Sequence, residues 1–275
     1  MLTKIKKTIP NAITLANLFL GFVAVILLAL SLGSPNEQYV KIACYLVLVG
    51  AVLDSIDGKV ARKLNISSDF GKEIDSLADL ISFCLVPSFL VFVWYNKLDI
   101  EYLSLIHLIL LSSFPIIFGA IRLAKYNALR EMRNSEKYLG LPTPANAILI
   151  CSLILFTSNI PYRAAEVFFV GGKNNIFFYL NNFLSKIFVS EYMILFISIF
   201  SSILLMSNVN YDKFPLISFK INKKNSLDLI NVIVFSIILI TSILYGYYDI
   251  VLLFFILIYI FGNLIKYFLK ILLIK

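Results

Sequence analysis

Charge, sulfur and imidazole are scarce in this chain. Only 15% of its 275 residues are Asp, Glu, Lys or Arg, against about 25% in an ordinary soluble domain, which excludes a water-soluble globule. The three cysteines, Cys44, Cys84 and Cys151, each sit alone inside an apolar run. Neither a disulfide framework nor a zinc site can be built from that spacing, so they read as small core residues. His107 is the single histidine, and its isolation reads as packing rather than chemistry. Past residue 160 the acids occur singly, as Glu166, Glu191, Asp212, Asp228 and Asp249. That spacing forms no carboxylate cluster and puts any acid chemistry in the first part of the chain.

Apolar residues are abundant: 60% of the chain is hydrophobic, with a mean hydropathy of +0.90. A helix crossing a hydrocarbon core needs roughly 20 apolar residues. Eight candidates stand at about 13–33, 39–58, 75–96, 102–124, 142–160, 191–207, 227–246 and 248–272. The expected architecture is an all-α integral membrane protein of about eight transmembrane helices. A catalytic core is expected over 1–160, with helices in 161–275 completing the same membrane domain. The basic start "MLTKIKK" resembles a signal peptide, but the apolar run behind it is too long for an h-region and shows no small-residue cleavage site. It reads as the first span.

The formal charge of +8 is arranged as a membrane topology, with no sign of a nucleic-acid patch. If eight spans alternate from a cytoplasmic N-terminus, 19 of the 24 basic residues fall on the inside, leaving Lys41, Lys97, Arg163, Lys173 and Lys186 outside. The positive-inside rule then puts both termini in the cytoplasm. Trp94 and Tyr95 close the third run at its outer end, as an aromatic belt would. Residues 161–190 read as an aromatic interfacial segment. Residues 208–226 read as a basic loop facing anionic headgroups.

Against that background, "LDSIDGKVARKLNISSDFGKEIDSLADLISF" at 53–83 is anomalous, because it holds six acids between residues 54 and 79. Ionisable groups beside lipid are costly and mark function by default. Asp54, Asp57, Gly58 and Ala61 share one helical stripe, and Gly71, Asp75 and Asp79 share another. A short polar turn between the two helices makes them antiparallel, so that four carboxylates converge. Such a set repels itself unless a cation sits within it. Ligands that are all oxygen favour Mg²⁺ or Mn²⁺, and two such ions would clamp a phosphoryl group. The small residues on these stripes let a bulky ligand approach the backbone, and Arg62 and Lys63 add positive charge. The competing reading is a pair of helices held by salt bridges, Asp57 or Asp75 with Arg62 or Lys72. Asp69 and Glu73 lie off both stripes and read as solvated.

The run Asp54, Asp57, Gly58, Ala61, Arg62, Gly71, Asp75, Asp79 has the spacing D-x2-D-G-x2-A-R-x8-G-x3-D-x3-D. It resembles the signature of the CDP-alcohol phosphatidyltransferases at every position. The resemblance implies a helical membrane enzyme, usually homodimeric, that transfers a phosphatidyl group from a CDP-lipid to an alcohol and releases CMP. Asp54, Asp57 and Asp75 would ligate metal, with Asp79 beside the ions as general base. Gly58, Ala61, Arg62, Ser68 and Gly71 would lie along the CDP-lipid.

"IPNAITLANLFLGF" at 9–22, "GKEIDSLADLISFCLVPSF" at 71–89, "AIRLAKYN" at 120–127 and "GLPTPANA" at 140–147 further resemble the membrane-embedded phosphatidylserine synthases of that family. The implied substrates are CDP-diacylglycerol and L-serine, although an archaeal-lipid relative would look similar. Arg122 and Lys125 end the fourth run level with the aspartates, where a guanidinium can grip a serine carboxylate or a lipid phosphate. Positive-inside anchoring is the other reading of both. Thr14 and Asn17, three apart in the first run, suit either a nucleotide contact or polar glue between helices. "GLPTP" opens the fifth run as a proline-tolerant helix start and carries no expected chemistry. Two rivals remain: the same chemistry with glycerol 3-phosphate or inositol phosphate as acceptor, and a divalent-cation transporter.

Overall fold

The computed structural model describes residues 2–34, 36–63, 68–98, 103–128, 137–170, 192–212 and 223–274, with the side chains of 2–8, 61–63, 137, 161–170, 223–233 and 274 outside the description. Ten α-helices are described: α1 Leu2–Leu32, α2 Gln38–Lys63, α3 Asp69–Asp79, α4 Val86–Leu98, α5 Leu105–Ser112, α6 Phe114–Ala128, α7 Thr143–Val170, α8 Met193–Leu205, α9 Lys223–Leu244 and α10 Tyr248–Ile274. A π-helical turn, Leu80–Leu85, joins α3 to α4.

All eight apolar runs are helical, but six described helices are long and apolar enough to cross a membrane: Ile9–Leu32, Gln38–Val60, Asp69–Leu98, Leu105–Ala128, Thr143–Ile160 and Tyr248–Leu273. α8 has 13 residues and reaches only about 20 Å at 1.5 Å per residue. The described apolar part of α9 is Val234–Leu244.

Breaks in the long helices follow proline. Pro87 has no N–H to return to the preceding turn, and the π turn lies immediately ahead of it. Pro115 likewise separates α5 from α6, and the N–H of Ile116 donates instead to Ser88 Oγ at 2.9 Å. That is how irregular backbone survives at membrane depth.

α1 lies along α2 and the α3–α4 helix, and α7 sits between α2, α4, α8 and α10. The α7 span is the most enclosed, at 72% buried, and it carries Ile150, Leu153, Ile154 and Phe156 into the core. Cys44 and Cys151 are both buried there. Tyr95 departs from the aromatic-belt reading: it is 2% exposed, and its Oη accepts the Leu195 N–H at 3.0 Å. It therefore stitches α4 to α8 inside the protein.

One feature is not helical. β1 Lys137–Leu139 pairs antiparallel with β2 Asn210–Asp212. The pairing is extended by Gly140 N to Val209 O at 2.9 Å and Leu141 N to Leu204 O at 3.0 Å. α10 anchors this ribbon: Tyr259 Oη donates to Asp212 O at 2.9 Å, Asp212 N donates to Asn263 Oδ1 at 3.2 Å, and Lys266 pairs with the Asp212 carboxylate at 2.8 Å.

Candidate metal centre and active site

Asp54 and Asp57 sit in the last turns of α2, and Asp75 and Asp79 one and two turns into α3. The structure brings the two stripes together. Asp54, Asp57 and Asp75 each offer a carboxylate oxygen, and these oxygens all lie within 4.8 Å of one another. At that separation each like-charged pair costs on the order of 3–4 kcal/mol at an effective dielectric of about 20. The group fits a hard divalent cation, because it supplies anionic oxygens alone. Asp57 is 4% exposed and is held by Thr14, whose hydroxyl donates to its Oδ2 at 2.6 Å. Thr14 thus ties α1 to the cluster, and Ser82 Oγ donates to Asn17 O at 3.1 Å one turn deeper.

Asp79 stands beside this trio at the junction with the π turn and acts electrostatically on Asp54, Asp75 and Arg122. Its Oδ2 accepts from the Thr143 hydroxyl at 3.3 Å. Its Oδ1 is buried with no hydrogen-bond partner among the described residues, an arrangement that native proteins reserve for water, ions or chemistry.

The remaining sequence-derived residues are placed as follows. Gly58 continues the Asp54 and Asp57 stripe of α2. Ala61 and Arg62 lie in the last turn of that helix, with side chains outside the described set. Ser68 is the N-cap of α3, its Oγ accepting the Gly71 N–H at 3.0 Å. A Cβ on Gly71 would come within 3.1 Å of Asn11 Oδ1, so glycine lets α1 approach here. Lys72 pairs with Asp69 at 2.8 Å on the exposed side of α3. In the salt-bridge reading Lys72 would have met an aspartate of the cluster.

Arg122 is 8% exposed, unusually low for a charge that serves only as an anchor. Its Nη1 donates to Thr143 Oγ1 at 3.5 Å, Tyr126 lies under its guanidinium at 5.7 Å, and its Nε has no hydrogen-bond partner among the described residues. Arg122, Lys125, Tyr126, Leu139, Leu205, Met206 and Ser207 line a cavity of about 20 Å³. That is about enough for a single water. Leu205, Met206 and Ser207 come from the end of α8 and the turn after it, beyond the segment that sequence patterning tied to chemistry. Thr143 went unassigned too, since nothing local distinguishes it from a helix-start threonine.

The comparisons with known proteins cover the same ground. The chain is 31% identical over 207 residues to the CDP-diacylglycerol–serine O-phosphatidyltransferase of Helicobacter pylori strain 26695, which covers 74% of this chain and 72% of that one. It is 35% identical over 150 residues to the protein of the same name from Methanocaldococcus jannaschii, 54% of this chain and 62% of that one. To the archaetidylserine synthase of Methanothermobacter thermautotrophicus it is 34% identical over 150 residues, 54% of this chain and 58% of that one. Residues 7–186 match the CDP-alcohol phosphatidyltransferase family, a stretch that holds all four aspartates, Arg122 and Thr143. With its carboxylates gathered at the α2–α3 junction and this match over most of its length, the chain belongs to the CDP-alcohol phosphatidyltransferase family, a family of membrane-embedded transferases.

Proposed function

We propose that this protein transfers the phosphatidyl group of CDP-diacylglycerol to the hydroxyl of L-serine, giving phosphatidylserine and CMP. The observation that carries the reading is the pairing of two unlike groups around one buried carboxylate. On one side of Asp79 stand Asp54, Asp57 and Asp75. On the other stands Arg122, joined to it through Thr143. The names of the similar proteins from Helicobacter pylori and Methanocaldococcus jannaschii support serine as the acceptor.

Asp54, Asp57 and Asp75 would hold Mg²⁺ or Mn²⁺, two ions in the fullest form, with Asp79 adjoining. Bound there, divalent cations supply charge neutralisation for the pyrophosphate of the nucleotide lipid. The chain's own residues do the rest. Gly58 keeps the α2 face low enough for the CDP moiety to lie against it, with Ser68 at the start of α3 beside it, and Ala61, Arg62 and Gly71 complete the sequence motif of the nucleotide-lipid site. Arg122 takes the serine carboxylate, with Lys125 and Tyr126 at the mouth of the cavity. Asp79 accepts the hydroxyl proton as the serine oxygen bonds to the lipid-bearing phosphorus. The bond from that phosphorus to the CMP oxygen breaks in line, and CMP leaves with the electron pair. The basic-residue asymmetry puts this end of the bundle, and both termini, on the cytoplasmic side.

The test is CMP release by the purified protein given CDP-diacylglycerol, Mn²⁺ or Mg²⁺, and serine, glycerol 3-phosphate or inositol phosphate one at a time. Serine-dependent CMP is expected. Release with one of the phosphorylated acceptors alone would overturn the acceptor, and release with none would overturn the reaction.

A further inference from the structure

The "GLPTP" segment at 140–144 has no chemical role by pattern, yet the fold grips it from two directions. Gly140 has φ +74, and a Cβ there would collide with the Leu205 carbonyl. Only glycine lets β1 turn so closely against the end of α8. The next residue is fixed by Leu141 N donating to Leu204 O at 3.0 Å. The first residue of α7, Thr143, is therefore set in place by backbone bonds to the second half of the chain, and it is 1% exposed.

Thr143 is the first helical residue of α7, because the Pro142 carbonyl already accepts the Asn146 N–H at 3.1 Å; the cap position is Pro142's, and the Thr143 hydroxyl points sideways to other helices. Its Oγ1 donates to Asp79 Oδ2 at 3.3 Å and accepts from Arg122 Nη1 at 3.5 Å. The direction of both bonds is forced, because a carboxylate accepts, a guanidinium donates, and a hydroxyl has one proton and spare lone pairs. Both separations are long for settled hydrogen bonds, as expected of a bridge that tightens when substrate arrives. At either end of it a polar atom has no hydrogen-bond partner among the described residues, Asp79 Oδ1 and Arg122 Nε.

We infer that Thr143 is a positioning residue whose hydroxyl couples the arginine that holds the acceptor to the carboxylate that takes the acceptor's proton. The inference rests on the roles given above to Asp79 and Arg122. With its backbone fixed, the Thr143 hydroxyl holds Arg122 and Asp79 in register when the acceptor carboxylate occupies the arginine, and so aims Asp79 Oδ1 at the acceptor hydroxyl. The second half of the chain enters the chemistry here, through the backbone bonds that fix Thr143.

The full-length protein is compared with Thr143→Val, which keeps the shape and loses the hydroxyl, and Thr143→Ser, which keeps the hydroxyl. Thr143→Val is expected to lower kcat ~10–100-fold and raise the KM for serine, as loss of hydrogen bonds to charged groups does, with the KM for CDP-diacylglycerol within about twofold. Thr143→Ser is expected to recover most of the lost rate. Equilibrium binding of labelled serine in EDTA, where no turnover occurs, is expected to weaken in the valine variant and recover in the serine one. Wild-type kinetics in Thr143→Val, or equal loss in both variants, would overturn the inference. If the valine variant does not fold, Thr143→Ala is judged by the same criteria. Should the wild-type protein release CMP with a different acceptor, the serine reading falls, and these variants scored with that acceptor still decide the role of Thr143.

Discussion

Both ends of α2 carry clusters of polar groups, and the two ends are built on opposite plans. Near its start, Lys41 donates to Asn159 Oδ1 at 2.8 Å, Asn159 Nδ2 donates to Tyr248 Oη at 3.2 Å, and Tyr248 and Tyr45 meet hydroxyl to hydroxyl. Donors face acceptors, and the knot ties α2, α7 and α10 together. About 24 Å along the same helix, Asp57 and Asp54 face Asp75, so that acceptors face acceptors. Among the described residues, Asp79 Oδ1 and Arg122 Nε have no hydrogen-bond partners at that end. Paired polar groups hold helices together. Like-charged and unsatisfied ones persist where a ligand completes them. On the function proposed above, the difference separates the part of the molecule that assembles the bundle from the part that would do chemistry.

Four substitutions probe that contrast, and Asp79 should give the greatest loss. Asp79→Asn keeps the shape but cannot accept a proton, and kcat for serine-dependent CMP release should drop ~10²–10⁴-fold, with the thermal midpoint in detergent no lower than that of the wild type. Next is Arg122→Lys, which replaces a two-pronged donor with a point charge. The serine KM should rise ~10-fold or more, with CDP-diacylglycerol dependence nearly unchanged, in initial-rate kinetics over both substrates. Gly140→Ala combines a left-handed backbone with a collision at Leu205 O. It should cost about 2 kcal/mol or more in unfolding experiments and disturb serine binding through the displaced Thr143. Smallest is Tyr248→Phe at the opposite end, expected to cost about 1 kcal/mol of stability and leave both KM values within about twofold. A collapse of activity in that variant would erase the distinction between the two ends.

The carboxylate site was legible in the sequence because helical spacing is local: residues 54 and 57, or 75 and 79, share a face wherever the helix goes. Arg122 was legible for the same reason, as a charge at the end of an apolar run. Thr143 was not, since its meaning depends on Asp79 and Arg122 approaching from other helices. The β1–β2 ribbon was also hidden. Three-residue strands at 137–139 and 210–212 carry no periodicity, and they exist because α7 and α8 bring their ends together. Tyr95 was misread because an aromatic at the end of a span looks alike from sequence whether it meets headgroups or, as here, the backbone of a neighbouring helix.

The most direct test of the central claim, that the Asp54, Asp57 and Asp75 end is the metal-holding site and the Lys41, Asn159 and Tyr248 end is scaffold, is a Mn²⁺ titration followed by electron paramagnetic resonance. Chelator-stripped wild-type protein, Asp75→Asn and Tyr248→Phe would be titrated side by side. Saturable Mn²⁺ binding in the wild type and Tyr248→Phe that disappears in Asp75→Asn is the predicted result. Binding of equal strength in Asp75→Asn would contradict it.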